Sequence, residues 1–407
     1  MRFCFLGLKF ELMVQNRILN VIKLVHACVL CSVFSGCAAA IFLLSLDSIT
    51  NFRELHKALF FGLPVFSLIA AYLYEKADDD LEKGSSLITE ALVDSKQKVP
   101  FLMAPLVFVA SLLTHLGGGS AGREGTAVQM GGALADTLAR KFKLTNEDRQ
   151  TMLLCGISTG FAAVFGTPWA GAIFALEFTK QAQFKPIRIL LIVSAAFLAN
   201  EVALQFPVLH VHYQVSVLPD FNFQNTFYTG ISGVLFGFTA IAYQQLTQFS
   251  NKQFTRIASP YGRVLVGAGT IVLAYVLLGS KYHGLGVPSI TAAFQTVESP
   301  NTFALKILLT VITLTAGMKG GEVTPLFFIG ATLGSSLAFI LPLPVAYMAG
   351  LGFVSVFAGV SKTPIACIVL GLELFGLSLF FPLVLSCGLT FLITNRSEIN
   401  FFFRNKK

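Results

Sequence analysis

The chain has 407 residues, of which 55% are hydrophobic and only 12% charged, with a mean hydropathy of +0.73. Soluble globular chains carry about 25% charged residues, so this one has too few to cover a water-facing surface. Soluble enzyme, disordered scaffold and secreted domain are excluded, and the composition is that of a polytopic membrane protein in a lipid bilayer.

The formal net charge of +8 would suggest a nucleic-acid partner in a soluble protein. Here the cations gather at the two ends, at Arg2, Lys9, Arg17 and Lys23 and again at Arg396, Arg404, Lys406 and Lys407. That is the positive-inside pattern; it predicts cytoplasmic termini and no nucleic acid. The seven cysteines, Cys4, Cys28, Cys31, Cys37, Cys155, Cys367 and Cys387, sit mostly in apolar runs without CxxC pairs and read as small core residues. No metal and no cofactor is expected. Ser35-Gly36-Cys37 imitates a lipoprotein cleavage site, but Glu11, Gln15, Asn16 and Arg17 come early and the apolar run continues to Leu46, which fits a first membrane helix better.

Apolar runs then follow at 18–46, 57–75, 99–117, 126–141, 151–177, 187–206, 226–247, 263–279, 303–317, 324–342, 343–358, 364–376 and 378–394. Several are shorter than the ~20 residues needed to cross a bilayer core, and many begin or end at glycine or proline. Such interrupted helices belong where backbone lines a buried polar path. The stretches 76–98, 207–225, 249–262 and 280–302 read as loops, and no soluble domain is expected after the last run.

The sequence repeats itself. Phe161, Ala162, Val164, Thr167, Pro168, Ala170, Leu176 and Glu177 recur as Phe357, Ala358, Val360, Thr363, Pro364, Ala366, Leu372 and Glu373, at an offset of 196. Upstream, Gly122, Glu124, Thr126, Gly132 and Ala133 recur as Gly320, Glu322, Thr324, Gly330 and Ala331, at an offset of 198. This predicts an N-terminal segment 1–20, membrane repeats 21–205 and 222–394 joined by a linker 206–221, and a tail 395–407. Paired repeats broken by glycine at equivalent places point to a transport site.

The two breaks read Gly117-Gly-Gly-Ser-Ala-Gly-Arg-Glu-Gly-Thr126 and Gly317-Met-Lys-Gly-Gly-Glu-Val-Thr-Pro325, each followed by a helix-compatible run. The unpaired N–H groups and positive dipole end of a helix attract anions. Each break carries a glutamate, Glu124 or Glu322. An acidic group at membrane depth marks an ion or proton path, since it can hold an anion's place and leave on protonation. The competing reading is a plain helix cap.

At these residues the chain resembles the CLC family of chloride channels and anion/proton antiporters. Gly122-Arg-Glu-Gly125 is similar to that family's G-[RK]-E-G-P motif, with Thr126 in place of proline. Gly321-Glu-Val-Thr-Pro325 and Gly84-Ser-Ser-Leu-Ile88 resemble the fluoride-exporting branch more than the chloride carriers. The resemblance implies an all-α membrane fold of two inverted-topology repeats with broken helices, as a homodimer with one pore per subunit. It implies fluoride export coupled to proton import across a bacterial inner membrane, with chloride as the alternative substrate. It makes Glu124 the gating and proton-exchanging carboxylate. Gly84, Ser85, Gly122, Arg123, Gly125, Glu322, Val323 and Thr324 would surround the anion. Hydroxyls of Ser85 and Thr324 suit a small, strongly hydrated anion, because each can replace lost water with a short hydrogen bond.

One departure stands out. The family places a tyrosine near the C-terminus, whereas no tyrosine follows Tyr347 here and Asn400 aligns instead. Glu201 resembles the inner proton-transfer glutamate of the chloride/proton antiporters, against a helix-end residue facing water. Glu177 and Glu373 read as structural caps or interface residues, and Arg123 as an electrostatic anchor for its loop. Asp78-Asp-Asp-Leu-Glu82 reads as a solvated face, His210 and His212 as loop residues without a third ligand, and His115 as a packing residue. Phe327 and Phe328 could turn a ring edge toward an anion. A membrane enzyme using Glu124 and Glu322 lacks a nucleophile, metal cluster or nucleotide loop.

Overall fold

The structure, a computed structural model, describes residues 2–77, 79–178, 185–208, 210–211 and 213–395. Among them no strand occurs, and sixteen α-helices carry the fold. The first eight are α1 (Arg2–Leu55), α2 (Leu63–Glu75), α3 (Ser85–Val93), α4 (Met103–Leu116), α5 (Glu124–Lys141), α6 (Asn146–Phe165), α7 (Pro168–Phe178) and α8 (Pro186–Leu204). The second eight are α9 (Phe223–Phe254), α10 (Pro260–Leu278), α11 (Val287–Ala293), α12 (Asn301–Thr315), α13 (Val323–Leu337), α14 (Val345–Ser361), α15 (Pro364–Phe375) and α16 (Phe380–Asn395). Long, short and broken helices recur in the same order in each set, the arrangement of two inverted repeats.

Among the described residues six helical stretches are long and apolar enough to cross a membrane: Ile18–Leu55, Lys57–Glu75, Pro186–Leu204, Phe223–Phe254, Pro260–Leu278 and Leu377–Asn395. The shorter α4, α12, α13, α14 and α15 are apolar too, and α13 and α14 are almost wholly buried. Two helices lie where loops were expected: α3 within 76–98 and α11 within 280–302. Each is under three turns and polar in its surroundings, so it gives too brief a hydrophobic period to show in the sequence.

Caps fix where the helices begin. Thr145 accepts from the Asp148 N–H to start α6, and Asn222 accepts from the Asn225 N–H at 2.8 Å to start α9. Pro260 and Pro364 occupy first turns, where a missing N–H costs nothing. The ends of α6 and α14 are repeat-related, yet Gly166 (φ 73°) closes one and Lys362 (φ 61°) the other in the same left-handed conformation. A lysine there costs about 1 kcal/mol or more in backbone strain. Its ammonium donates to the Thr394 carbonyl of α16, which offsets that strain with a tie between helices.

Small residues let the central helices touch. A Cβ on Gly330 of α13 would lie 2.0 Å from the Gly352 carbonyl oxygen of α14. In the first half, a Cβ on Gly131 of α5 would lie 2.1 Å from the Gly156 carbonyl oxygen of α6. Close backbone approach of this kind drives helix association in lipid, where burying apolar area gains nothing. At the polar end of α5, buried Asp136 accepts from Arg149 Nε at 2.5 Å and from the Val99 N–H at 2.9 Å. Arg149 also donates to the carbonyls of Ser95 (2.9 Å) and Gln97 (2.6 Å), which ties the strap between α3 and α4 to the α5–α6 pair.

Five of the cysteines, Cys28, Cys31, Cys155, Cys367 and Cys387, are buried and unbridged. Glu177 and Glu373 form a reciprocal pair of caps. Glu177 accepts from the N–H groups of Ile365 (3.1 Å) and Ala366 (2.7 Å) at the start of α15. Glu373 accepts from those of Trp169 (3.0 Å) and Ala170 (2.7 Å) at the start of α7. Each repeat thus caps the other's helix, which pins the halves together beside the site.

Candidate functional site

The glycine-rich loops that precede α5 and α13 cross. The Gly122 N–H donates to the Gly321 carbonyl at 2.5 Å, and the Gly321 N–H returns a bond to Gly122 at 2.7 Å. A side chain would prevent it: a Cβ on Gly122 would sit 2.8 Å from Glu124 Oε2, and one on Gly321 2.7 Å from the Gly125 nitrogen. The crossing therefore brings the first turns of two helices, one from each half, to one point.

Glu124 is the first residue of α5 and only 1% exposed. Its carboxylate folds back onto the crossing. Oε2 accepts from the backbone N–H groups of Arg123 and Thr324, both at 3.1 Å. Oε1 accepts from the Thr324 hydroxyl, and Arg123 Nε stands 3.6 Å away. The negative charge lies where the dipole ends of α5 and α13 converge, a geometry suited to any small anion. The carboxylate takes all these bonds only as an acceptor; protonation turns one oxygen into a donor and removes the charge that the helix ends favour.

Cavities approach this carboxylate from two sides. One, of about 270 Å³, is lined by Gly84, Ser85, Glu124, Gly125, Gln129, Glu322 and Val323 among others. Gly84 (φ 57°) is the N-cap of α3, and Ser85, the first residue of that helix, accepts from Gln129 Nε2 at 3.3 Å. Glu322 is the N-cap residue of α13, and its carboxylate accepts from the buried Tyr243 hydroxyl of α9 at 3.1 Å. On the opposite side a pocket of about 30 Å³ is lined by Arg123, Glu124, Tyr213, Thr324, Phe327 and Phe353. Arg123 also lines a wider cavity of about 550 Å³ beyond it. Its buried Nε makes no hydrogen bond, so the Glu124 contact is purely electrostatic.

Of the residues singled out from sequence, Gly84, Ser85, Gly122, Arg123, Gly125, Glu322, Val323 and Thr324 all gather around Glu124. Glu201 does not: it is exposed near the end of α8 and lines neither cavity that reaches Glu124. Asn400, Asp78 and His212 lie outside the described residues. His210 reaches the Ala163 carbonyl at 3.2 Å, and His115 is buried with its ring nitrogens on the carbonyls of Ser111 (2.8 Å) and Ala121 (3.1 Å). Thr126 meets Ser111 hydroxyl to hydroxyl at 2.6 Å. Phe327 stacks on Phe353 at 3.9 Å, while Phe328 lies beneath the buried Lys306 ammonium at 4.9 Å.

Tyr243, Gln129 and Tyr213 escaped sequence reasoning. Tyr243 had one indirect signal: a carboxylate at membrane depth, Glu322, requires a donor, although α9 offers several hydroxyls besides Tyr243. Gln129 follows Glu124 along α5, where an amide in an otherwise small and apolar helix turn invites a polar partner.

The profile of the voltage gated chloride channel family matches residues 66–395. A chloride/fluoride channel protein of Pseudomonas syringae pv. tomato is 40% identical over 379 residues, covering 91% of this chain and 84% of that protein. An H(+)/Cl(-) exchange transporter of Vibrio parahaemolyticus is 27% identical over 292 residues, 65% of this chain and 61% of its own length. Among solved structures, a CLC-type fluoride/proton antiporter superposes with a TM-score of 0.89 at 32% identity, covering 92% of this chain and 96% of that one. A slow cyanobacterial Cl-/H+ antiporter, at 19% identity and a TM-score of 0.83, covers 93% and 95% and shares the fold. The chain belongs to the CLC family of voltage gated chloride channels, integral membrane proteins of anion transport.

Proposed function

We propose that this protein exports fluoride in exchange for protons, with Glu124 as the group that trades places with the anion. The observation that carries the reading is the Glu124 carboxylate itself, held by the Arg123 and Thr324 N–H groups and the Thr324 hydroxyl between two helix ends. A group that satisfies those donors while charged must vacate them for an anion to bind. Protonation supplies the reason to leave, because the neutral acid loses its attraction to the dipole ends. One proton taken up at Glu124 thereby admits one anion, and the two move in opposite directions.

Ser85 is the hydroxyl that receives the anion in the 270 Å³ cavity. Glu322, held by Tyr243, is a second acidic station beside it. Arg123 attracts the anion from the far side. Glu201 is exposed and lines neither cavity that reaches Glu124; the exchange at Glu124 does not require it, and Glu201→Gln should leave coupling intact. The relatives that support fluoride are the chloride/fluoride channel protein and the fluoride/proton antiporter. The working unit is a homodimer of two-repeat subunits, with repeats 21–205 and 222–394, in a bacterial inner membrane with both termini cytoplasmic.

Chloride transport is the second reading, because the Ser85 hydroxyl can donate to either halide. Flux from proteoliposomes loaded with fluoride or with chloride separates the two. Fluoride efflux well above chloride efflux supports the proposal, and equal rates refute the substrate.

A further inference from the structure

Lys319 sits in the second break, three residues before Glu322, and lines the 270 Å³ cavity together with Ser85, Glu124 and Glu322. An ammonium at membrane depth is costly unless it serves a path or finds a partner. Among the described residues no carboxylate lies within ion-pair distance of it. The other lysine of this cavity, Lys83, is held by Asp80 at 2.8 Å and by Glu90 at 2.9 Å. Lys319 instead rests with its Nζ 4.1 Å over the ring of Tyr74. An aromatic face steadies a cation without neutralising it, and the carboxylate that attracts it, Glu82, lines the same cavity without forming an ion pair. The repeat offers no counterpart, since the position equivalent to Lys319 is Ala121. The first half's cation, Arg123, opens on the opposite side of Glu124.

We propose that Lys319 is the specificity-determining cation of the Ser85-side cavity, where its ammonium holds the anion that Glu124 has released or is about to admit. This rests on the fluoride reading and deepens it. Lysine presents a compact, strongly hydrated point charge with three donors, whereas arginine presents a broad, weakly hydrated plane. The attraction between point charges rises as their separation falls, so a small hard anion gains more from an ammonium than a larger halide does. The Tyr74 ring accepts no conventional hydrogen bond from the ammonium, which leaves its N–H groups for the anion.

The test compares fluoride and chloride efflux from proteoliposomes bearing wild type, Lys319→Arg and Lys319→Met. Lys319→Arg, which keeps the charge and the stacking on Tyr74, should lower the fluoride-to-chloride flux ratio about tenfold. Lys319→Met should cost fluoride flux far more than chloride flux. An unchanged ratio in Lys319→Arg overturns the proposal even if Lys319→Met fails to fold, because it leaves Lys319 as a structural contact of Tyr74. A wild type that moves chloride as fast as fluoride overturns the fluoride reading first, and the proposal with it.

Discussion

Thr324 binds the Glu124 carboxylate twice, through its backbone N–H at 3.1 Å to one oxygen and through its hydroxyl to the other. The two residues are 200 positions apart, in opposite halves, at the first turns of α5 and α13. In the proposed exchange the N–H, fixed by the helix, remains for the anion that follows, and the hydroxyl can turn to donate to the anion or accept from the protonated acid.

Removing the hydroxyl while keeping the shape tests that division. Thr324→Val preserves the N–H and the packing but leaves an anion with one donor fewer, worth about 1.5–3 kcal/mol for a charged acceptor. Fluoride efflux from proteoliposomes should fall about tenfold or more, and Thr324→Ser should restore most of it. Wild-type flux in Thr324→Val would show that the hydroxyl is idle.

Tyr243 and Glu322 should act as one unit. The Tyr243 hydroxyl is the donor that holds the Glu322 carboxylate at 3.1 Å, so Tyr243→Phe, which removes the donor, and Glu322→Ala, which removes the acceptor, each break the same contact. In a double-mutant cycle of fluoride turnover, the combined variant should be no slower than Glu322→Ala alone. Additive losses would separate the two residues and remove Tyr243 from the path.

The reciprocal caps are expected to carry stability and not selectivity. Glu177→Ala strands the N–H groups of Ile365 and Ala366, at a cost of about 1–3 kcal/mol for the lost charged acceptor. The Tm in detergent should drop, with the fluoride-to-chloride ratio unchanged in the surviving protein. A Tm equal to wild type would mean that water replaces the carboxylate and that the caps do not join the halves.

The site was legible to the extent that chemistry and repetition coincided. Glu124 and Glu322 stood out because a carboxylate in an apolar chain is rare, and because they recur at one offset beside glycines. The Gly122–Gly321 crossing followed a different register from the repeat, which matches Gly122 to Gly320; the sequence offset fixes equivalent positions and says nothing of which atoms meet across the axis. Helices α3 and α11 were read as loops because a helix of two turns leaves no hydrophobic period. Tyr243 could not be singled out because Glu322 is 79 residues away, and α9 carries another tyrosine, Tyr228, and several other hydroxyls. Lys362 shows the limit of residue rules, since it takes the left-handed end that Gly166 takes in the other half. Glu201 matched a motif by resemblance; its side chain is exposed near the end of α8 and lines neither cavity that reaches Glu124.

The central claim is that one carboxylate, Glu124, both blocks the anion and carries the proton. Proton movement in proteoliposomes driven by an outward fluoride gradient tests it most directly, with wild type and Glu124→Gln side by side. Glutamine keeps the size and an acceptor oxygen but cannot ionise. Wild type should take up protons against no pH gradient as fluoride leaves, and Glu124→Gln should show none while its lumen stays at constant pH. Proton uptake that persists in Glu124→Gln would contradict the exchange mechanism.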